Sequence, residues 1–251
     1  MNTEIIIATV GVFIGELYWN IVGGGSLVTQ VVLQNILNFD IKTAMALDNA
    51  AVIGSNIGML IVLARKYSVK WWFFIFIIFQ SIGAILGSWI LIKIDPDLLK
   101  IIFIIAIVLL VIKNLFIKEK AHHEKGFKEN YKNIALISLA AVFIGLYNAA
   151  FVIGDWIIAL LILTSVFSLK YHNAIFLMVF SMIFSQPIAA YQYYANGLVD
   201  LNFLIPMISA TLVGGVISAI ILNKIHSNKL ETFLKYLSVG LVIYLIVGFF
   251  T

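Results

Sequence analysis

Three carboxylic acids stand inside strongly apolar stretches of this chain. Glu16 follows "GVFIG", Asp48 lies within "TAMALDNAAV", and Asp155 stands in "VIGDWI". A carboxylate at membrane depth is costly and faces a cavity or a partner, which makes it a candidate functional group. We therefore predict proton-coupling roles for all three. The alternatives are a structural hydrogen bond for Glu16, interface exposure near Lys42 for Asp48, and a helix cap for Asp155.

The stretch "VGGGSLVT" places three glycines in an apolar run. Glycine costs a helix about 1 kcal/mol against alanine, so Gly23, Gly24 and Gly25 predict a broken backbone. A new helix starting there exposes unpaired N–H groups and a partial positive charge, and Ser26 could cap it. The sequence thus predicts an anion-binding cradle. The alternative is close helix packing, which we expect for the glycine pairs of "GVFIG" and "GAILG".

Two serine–amide pairs stand at matching places, Ser55–Asn56 and Ser185–Gln186. Pro187 removes a backbone donor from its helix and clashes with the preceding turn, so we expect the segment to be interrupted. Paired, interrupted polar centres indicate a transporter binding site, and we predict that these four side chains contact the substrate. The alternative is hydrogen bonding between helices.

The chain repeats itself. "VFIG" occurs at 12–15 and 142–145, an offset of 130, and later "KIDPDLL" aligns with "KIHSNKL" at an offset of 131. Such self-similarity indicates a duplicated unit. We predict a first transmembrane repeat at 1–117, a polar linker at 118–132 and a second repeat at 133–251.

Each repeat shows five apolar segments. The second is short, about 13 residues or roughly 20 Å of helix, against a hydrocarbon core of about 30 Å. We predict a half-helix that either spans or re-enters. The expected segments are 4–22, 26–38, 43–64, 70–92 and 98–116, then 134–152, 156–168, 172–194, 202–223 and 231–249.

Composition places the chain in a lipid bilayer. It is 63% hydrophobic and only 11% charged, with a mean hydropathy of +1.08, whereas soluble domains are about 25% charged. The net charge of +4 lies in loops, so nucleic acid is not an expected partner, and the absence of cysteine excludes disulfides and thiolate metal sites. We expect an all-α integral membrane protein with no cofactor and no metal.

Loop charges predict the orientation. Loop 65–70 and linker 118–132 are rich in lysine, whereas 196–202 has no positive charge and 223–231 does. Parallel copies would carry matching charges in matching loops, so we predict inverted-topology repeats with both termini outside the cytoplasm. This plan is common in secondary transporters.

Taken together, an early "GxxxG" helix, a "GGG" break, a short apolar helix and a small-residue helix, all duplicated, resemble the sulfite exporter TauE/SafE family. These prokaryotic permeases are also grouped as toluene-sulfonate uptake permeases. The resemblance covers essentially the whole chain and implies transport of sulfite, sulfonates or similar sulfur-containing anions across the plasma membrane.

We therefore expect a non-enzymatic secondary transporter for a small sulfur-containing anion. Backbone donors of the glycine break would hold the anion, and the buried acids would carry a proton. One alternative is a proton or cation channel lined by Glu16, Asp48 and Asp155. A less favoured one is an intramembrane aspartyl protease that uses Asp48 and Asp155.

Overall fold

The computed structural model describes residues 3–22, 25–102, 104–105, 127–152 and 154–222. This part of the chain is helical and contains no strand. Eight helices follow each other: α1 (Thr3–Val22), α2 (Ser26–Gln30), α3 (Ile41–Leu63), α4 (Trp72–Lys93), α5 (Tyr131–Ala150), α6 (Asp155–Leu161), α7 (Tyr171–Ala195) and α8 (Leu201–Leu222). A further helical stretch starts at 96.

The predicted segments agree with these helices to within a few residues. Five of the helices are long and apolar enough to cross a membrane, namely α3, α4, α5, α7 and α8. The segment expected at 98–116 is described only in part. The segment expected at 231–249, and Gly23 and Gly24 of the glycine break, lie outside the described residues.

Local sequence explains where two of the long helices begin. Asp40 caps α3, because its side chain accepts hydrogen bonds of 3.1 Å from the backbone N–H groups of Lys42 and Thr43. Asn130 caps α5 by accepting one of 2.8 Å from the N–H of Asn133. Each cap satisfies donors that have no partner inside the first turn.

The two short segments share one backbone design. α2 continues as a π-helical turn over Val31–Ile36, and α6 continues as one over Ile162–Val166. Each then reverses through a residue with positive φ, Asn38 (56°) or Ser168 (54°), and these two residues are 130 positions apart. The duplication read from the sequence is therefore repeated in the local backbone geometry.

Two sequence expectations are wrong. The third segment of each half is not interrupted, because α3 and α7 are continuous helices, and α7 runs through Pro187. A proline in a membrane helix is tolerated where neighbours satisfy the freed backbone groups. Ser26 is also not the cap of α2. Gly25 occupies the cap position without a side-chain hydrogen bond, and Ser26 is the first helical residue.

Helices α3 and α7 form the centre of the bundle. In the most apolar 18-residue stretch of each helix, 72% of the residues are buried in α3 and 67% in α7, against 39–50% in α4, α5 and α8. Glycines let the outer helices approach closely, as predicted for "GAILG". A Cβ on Gly83 would lie 2.1 Å from the backbone oxygen of Val142, and one on Gly145 would lie 2.1 Å from that of Gln80. The α4–α5 contact therefore has no room for larger residues.

Contacts between the halves come in matched pairs. The first helix of each half packs on the fourth helix of the other, α1 on α8 and α5 on α4. The third helices pack on each other. Tyr67, just after the end of α3, stacks on His172 at the start of α7, with ring centroids 6.3 Å apart. The end of one third helix thus adjoins the start of the other, which supports the inverted repeat. The inversion itself stays a prediction.

Candidate functional site

The starts of the two short helices meet inside the protein. The Ser26 hydroxyl at the start of α2 donates a 3.3 Å hydrogen bond to the carbonyl oxygen of Val152, just before α6. Both residues are buried. Gly15 lets α1 approach the start of α2 closely, since a Cβ there would lie 2.5 Å from the Thr29 hydroxyl and 3.0 Å from the Gly25 oxygen.

Asp48 is the acceptor at the centre of a buried polar cluster. The side-chain amide of Gln30 donates to its Oδ2 at 2.9 Å, and the hydroxyls of Ser26 and Thr29 lie nearby. Gln34 donates in turn to the Gln30 amide oxygen at 2.5 Å. Asp48 is only 1% exposed, so the alternative of interface exposure is wrong. Lys42 donates instead to the backbone oxygen of Ile92 at 2.9 Å.

Asp155 is the acceptor of a second cluster beside the first. Asn148 of α5 donates to its Oδ2, and the Asp155 carboxylate also accepts from the backbone at the start of α6. Gly154 provides the sharp entry into that helix with a φ of 73°, a conformation that glycine adopts without strain. Asp155 is 4% exposed, so its charge has no access to bulk water.

Asn49 joins the two clusters. It follows Asp48 on α3, and its side-chain amide donates at 2.8 Å to the backbone oxygen of Asn148. The carboxyl groups of Asp48 and Asp155 are close enough to interact electrostatically. The structure therefore brings together two acids that are 107 positions apart in the sequence. We call the group of Ser26, Gln30, Asp48, Asn49, Asn148 and Asp155 the acid centre.

Ser55 and Asn56 follow Asp48 by about two helical turns on α3, and Ser185 and Gln186 lie on α7. Asn56 of α3 donates to the Gln186 amide oxygen of α7 at 2.7 Å, and also to the backbone oxygen of Val52 at 3.2 Å. Ser55 and Ser185 are buried beside them. This geometry is the interhelical amide bond named as the alternative in the sequence analysis. It fixes both amides next to the α3–α7 contact.

Three buried oxygen atoms in this region have no hydrogen-bond partner among the described residues. They are Oδ1 of Asn49, Oδ1 of Asn56 and Oδ1 of Asp155. An unsatisfied buried acceptor costs about 1–3 kcal/mol, and such groups require an explanation. Asn49 and Asn56 are two helical turns apart and so share one face of α3. That face offers acceptors to a proton, a water molecule or a donor group of a ligand.

Glu16 lies at the packing surface between α1 and α8. It is 3% exposed, and a Cβ on Gly214 of α8 would lie 3.1 Å from the Glu16 Cβ. Its position inside the bundle agrees with the expected burial. Its proton-coupling role stays a prediction.

Sequence analysis missed Thr29, Gln30, Asn49 and Asn148 as site residues. A signal was available, because each is a polar residue in an apolar segment. The serine–amide pairs were predicted from polarity shared by both halves, whereas the acid centre is asymmetric. The residues 130 positions after Ser26, Gln30 and Asp48 are a tryptophan, a leucine and a methionine.

The two carboxyl groups of the acid centre can bind or release protons. Within the described residues no three His, Cys, Asp or Glu side chains are grouped to hold a metal ion. Two carboxyl groups share a buried environment with amide and hydroxyl donors. Buried like charges repel strongly, so protonation of one carboxyl group relieves the repulsion and also creates a new hydrogen-bond donor.

Comparison with known proteins now identifies the family. No curated protein and no solved structure gave a significant match. The profile of the family described as "Sulfite exporter TauE/SafE" matches residues 7–247, nearly the whole chain. Because the match spans both halves and the described residues form a membrane-type helical bundle, this chain belongs to the sulfite exporter TauE/SafE family of membrane transporters.

Proposed function

We propose that this protein is a proton-coupled secondary transporter for sulfite or a small organosulfur anion. The observation that carries the proposal is the meeting of the starts of two short helices beside Asp48 and Asp155. The Ser26–Val152 hydrogen bond holds these helix starts together. Discontinuous helices of this kind form the ion and substrate sites of secondary transporters.

On this proposal α2 is re-entrant, and its contacts support that placement. Ser26 begins the helix beside Asp48, and Gln30 lies one turn further on, beside Ala44 and Asp48. The chain then returns to Asp40, which caps the start of α3. The short helix thus reaches from the interior of the bundle to one of its ends, as the glycine break predicts.

Proton coupling follows from the charges. An anion and two ionised carboxylates cannot share a buried site, because their repulsion is barely screened there. A proton on Asp48 or Asp155 removes one negative charge and supplies an O–H donor to the ligand. Anion binding and proton binding are then mutually favourable, and both are carried across together.

We further propose that the substrate lies between the acid centre and the Asn56–Gln186 pair. The Gln186 amide supplies donors, as do the backbone N–H groups of Gly23–Ser26, because both N–H groups of the Asn56 amide already donate to Val52 and Gln186. Inverted repeats provide alternating access, because one half rocks against the other around a fixed site. On this proposal the protein lies in a prokaryotic plasma membrane, with the linker in the cytoplasm and both termini outside.

Uptake into proteoliposomes tests the function. Purified protein is reconstituted, and uptake of sulfite, methanesulfonate, benzenesulfonate and chloride is measured with and without an imposed pH gradient. We expect saturable uptake of at least one sulfur anion, accelerated by the gradient, together with movement of protons in the same direction. Proton or cation current that does not saturate and ignores all sulfur anions would instead identify the channel alternative.

A further inference from the structure

A cavity of about 390 Å³ lies at the end of the bundle opposite the α3 cap, and the acid centre does not contribute to it. It opens between the 65–70 loop, the start of α4 and the start of α7. Its volume falls within the range of small-molecule sites, about 300–1,000 Å³. We call it the lysine cavity, because Lys66, Lys70 and Lys170 line it.

The electrostatics of the lysine cavity favour an anion. The described lining includes three lysines and no acidic residue. Lys70 forms an ion pair with Glu129, which ties the start of α4 to the start of α5. Helices α4 and α7, of 22 and 25 residues, both begin at the cavity. The partial positive charges of two helix N-termini therefore add to those of the lysines.

A buried donor in the cavity wall points to a ligand. Trp72 lines the cavity, is 1% exposed, and its indole N–H has no hydrogen-bond partner among the described residues. Tryptophan N–H groups usually find a partner when they are buried. An anion held in the cavity supplies an acceptor for this group.

The remaining walls are aromatic. Tyr67 and Phe176 have ring centroids 5.7 Å apart, and Phe73 lies 6.1 Å from Phe176. Tyr67, Phe73 and Phe176 all line the cavity. A bare inorganic anion leaves these surfaces without contact, whereas an organic anion covers them with its apolar body.

We propose that the lysine cavity binds an organic anion with an apolar ring or chain, its charged group directed to the lysines and to the Trp72 N–H. The site lies apart from the acid centre and serves as an access site on the face predicted to be cytoplasmic. Only this access role rests on the proposed transport function; the binding itself does not.

Titration calorimetry tests the binding without transport. The protein is placed in phosphatidylcholine nanodiscs and titrated with benzenesulfonate, with sulfate as the inorganic comparison. We expect benzenesulfonate to bind more tightly than sulfate. Trp72→Phe, which keeps a ring but removes the N–H, should weaken binding about tenfold, the size of one hydrogen bond to a charged group. The matched control is Trp71→Phe, because Trp71 is 58% exposed and does not line the cavity.

A second variant keeps the test decisive if Trp72→Phe fails to fold. Lys66→Gln/Lys170→Gln changes only exposed lysines and should also weaken binding, whereas Lys132→Gln, on the exposed start of α5, should not. Binding that is absent, or that ignores both the Trp72 and the lysine changes, overturns the proposal. Loss of benzenesulfonate binding when phosphatidylglycerol replaces part of the lipid would assign the site to a phosphate headgroup and equally overturn it.

The same samples separate this inference from the proposed function. Asp48→Asn should abolish proton-driven uptake and leave benzenesulfonate binding at the lysine cavity unchanged. If the unmodified protein binds benzenesulfonate through Trp72 and yet transports no sulfur anion, the proposed function fails and the cavity assignment stands.

Discussion

Asn56 and Gln186, which stand 130 positions apart, donate and accept one hydrogen bond of 2.7 Å. The offset of the sequence repeat is also 130, so each residue meets its own counterpart from the other half. In a two-fold arrangement, equivalent residues touch only where they lie on the axis. This contact supports a pseudo-two-fold axis that passes between α3 and α7.

The Asn56–Gln186 bond predicts strong coupling between its two side chains. Asn56→Leu or Gln186→Leu alone leaves a buried amide without its partner, so each should lower the free energy of unfolding by about 1–3 kcal/mol and sharply reduce anion uptake. The double variant replaces both partners by apolar groups and should recover much of the stability but none of the uptake. Thermal unfolding and proteoliposome flux measure the two quantities. Strictly additive losses of stability would contradict the bond, and unchanged flux in both single variants would remove the pair from the site.

Neutral substitutions of Asp48 and Asp155 should abolish proton coupling. Asp48→Asn and Asp155→Asn keep the shape of each side chain but cannot exchange a proton, so uptake should no longer respond to an imposed pH gradient. Asp200→Asn is the control, since Asp200 is an exposed residue whose side chain accepts a hydrogen bond from the backbone N–H of Asn202 at the start of α8. Uptake in the two variants is compared at matched pH inside and outside, then with a gradient. A gradient response equal to that of the unmodified protein would refute the coupling role.

The close α4–α5 contact predicts that one added methyl group lowers the stability of the protein strongly. Gly145→Ala puts a Cβ 2.1 Å from a backbone oxygen of Gln80, so the helices must separate, and overpacking of this kind costs about 1–3 kcal/mol. Gly214→Ala is the comparison, because the new methyl meets the Glu16 Cβ at 3.1 Å, so α1 and α8 need to separate by only a few tenths of an ångström. We expect a clearly larger drop in melting temperature for Gly145→Ala. Equal effects would contradict the close approach of α4 and α5.

The inverted repeat predicts opposite sidedness for two equivalent loops. The chain has no cysteine, so a cysteine introduced at one position is the only residue that a maleimide labels in the protein. Val69 is in the loop after α3, and Asn202 is at the start of α8, just after the loop that follows α7. Each is replaced singly, as Val69→Cys or Asn202→Cys. A membrane-impermeant maleimide applied to intact cells should label only the cysteine at 202, and inside-out vesicles should reverse the pattern. Labelling of both positions from one side would show parallel copies.

Much of the fold follows from local sequence, because membrane helices are set by apolar length and by the absence of water to satisfy a broken backbone. The segment bounds, the short second segments and the close packing at "GAILG" were all predictable for this reason. The continuity of α7 through Pro187 was not. Whether a proline interrupts a helix depends on the neighbours that accept the freed groups, and those neighbours come from distant parts of the chain.

The sequence by itself determined that two copies of one helical unit lie in a membrane and that acids and amides stand within their apolar segments, because composition and periodicity are properties of the chain alone. Only the tertiary structure decided which of these groups meet. Asp48 and Asp155 come together through Asn49 and Asn148, and this pairing depends on how the helices of the two halves pack together. Helix packing is set by the shapes of facing surfaces, which no single segment contains.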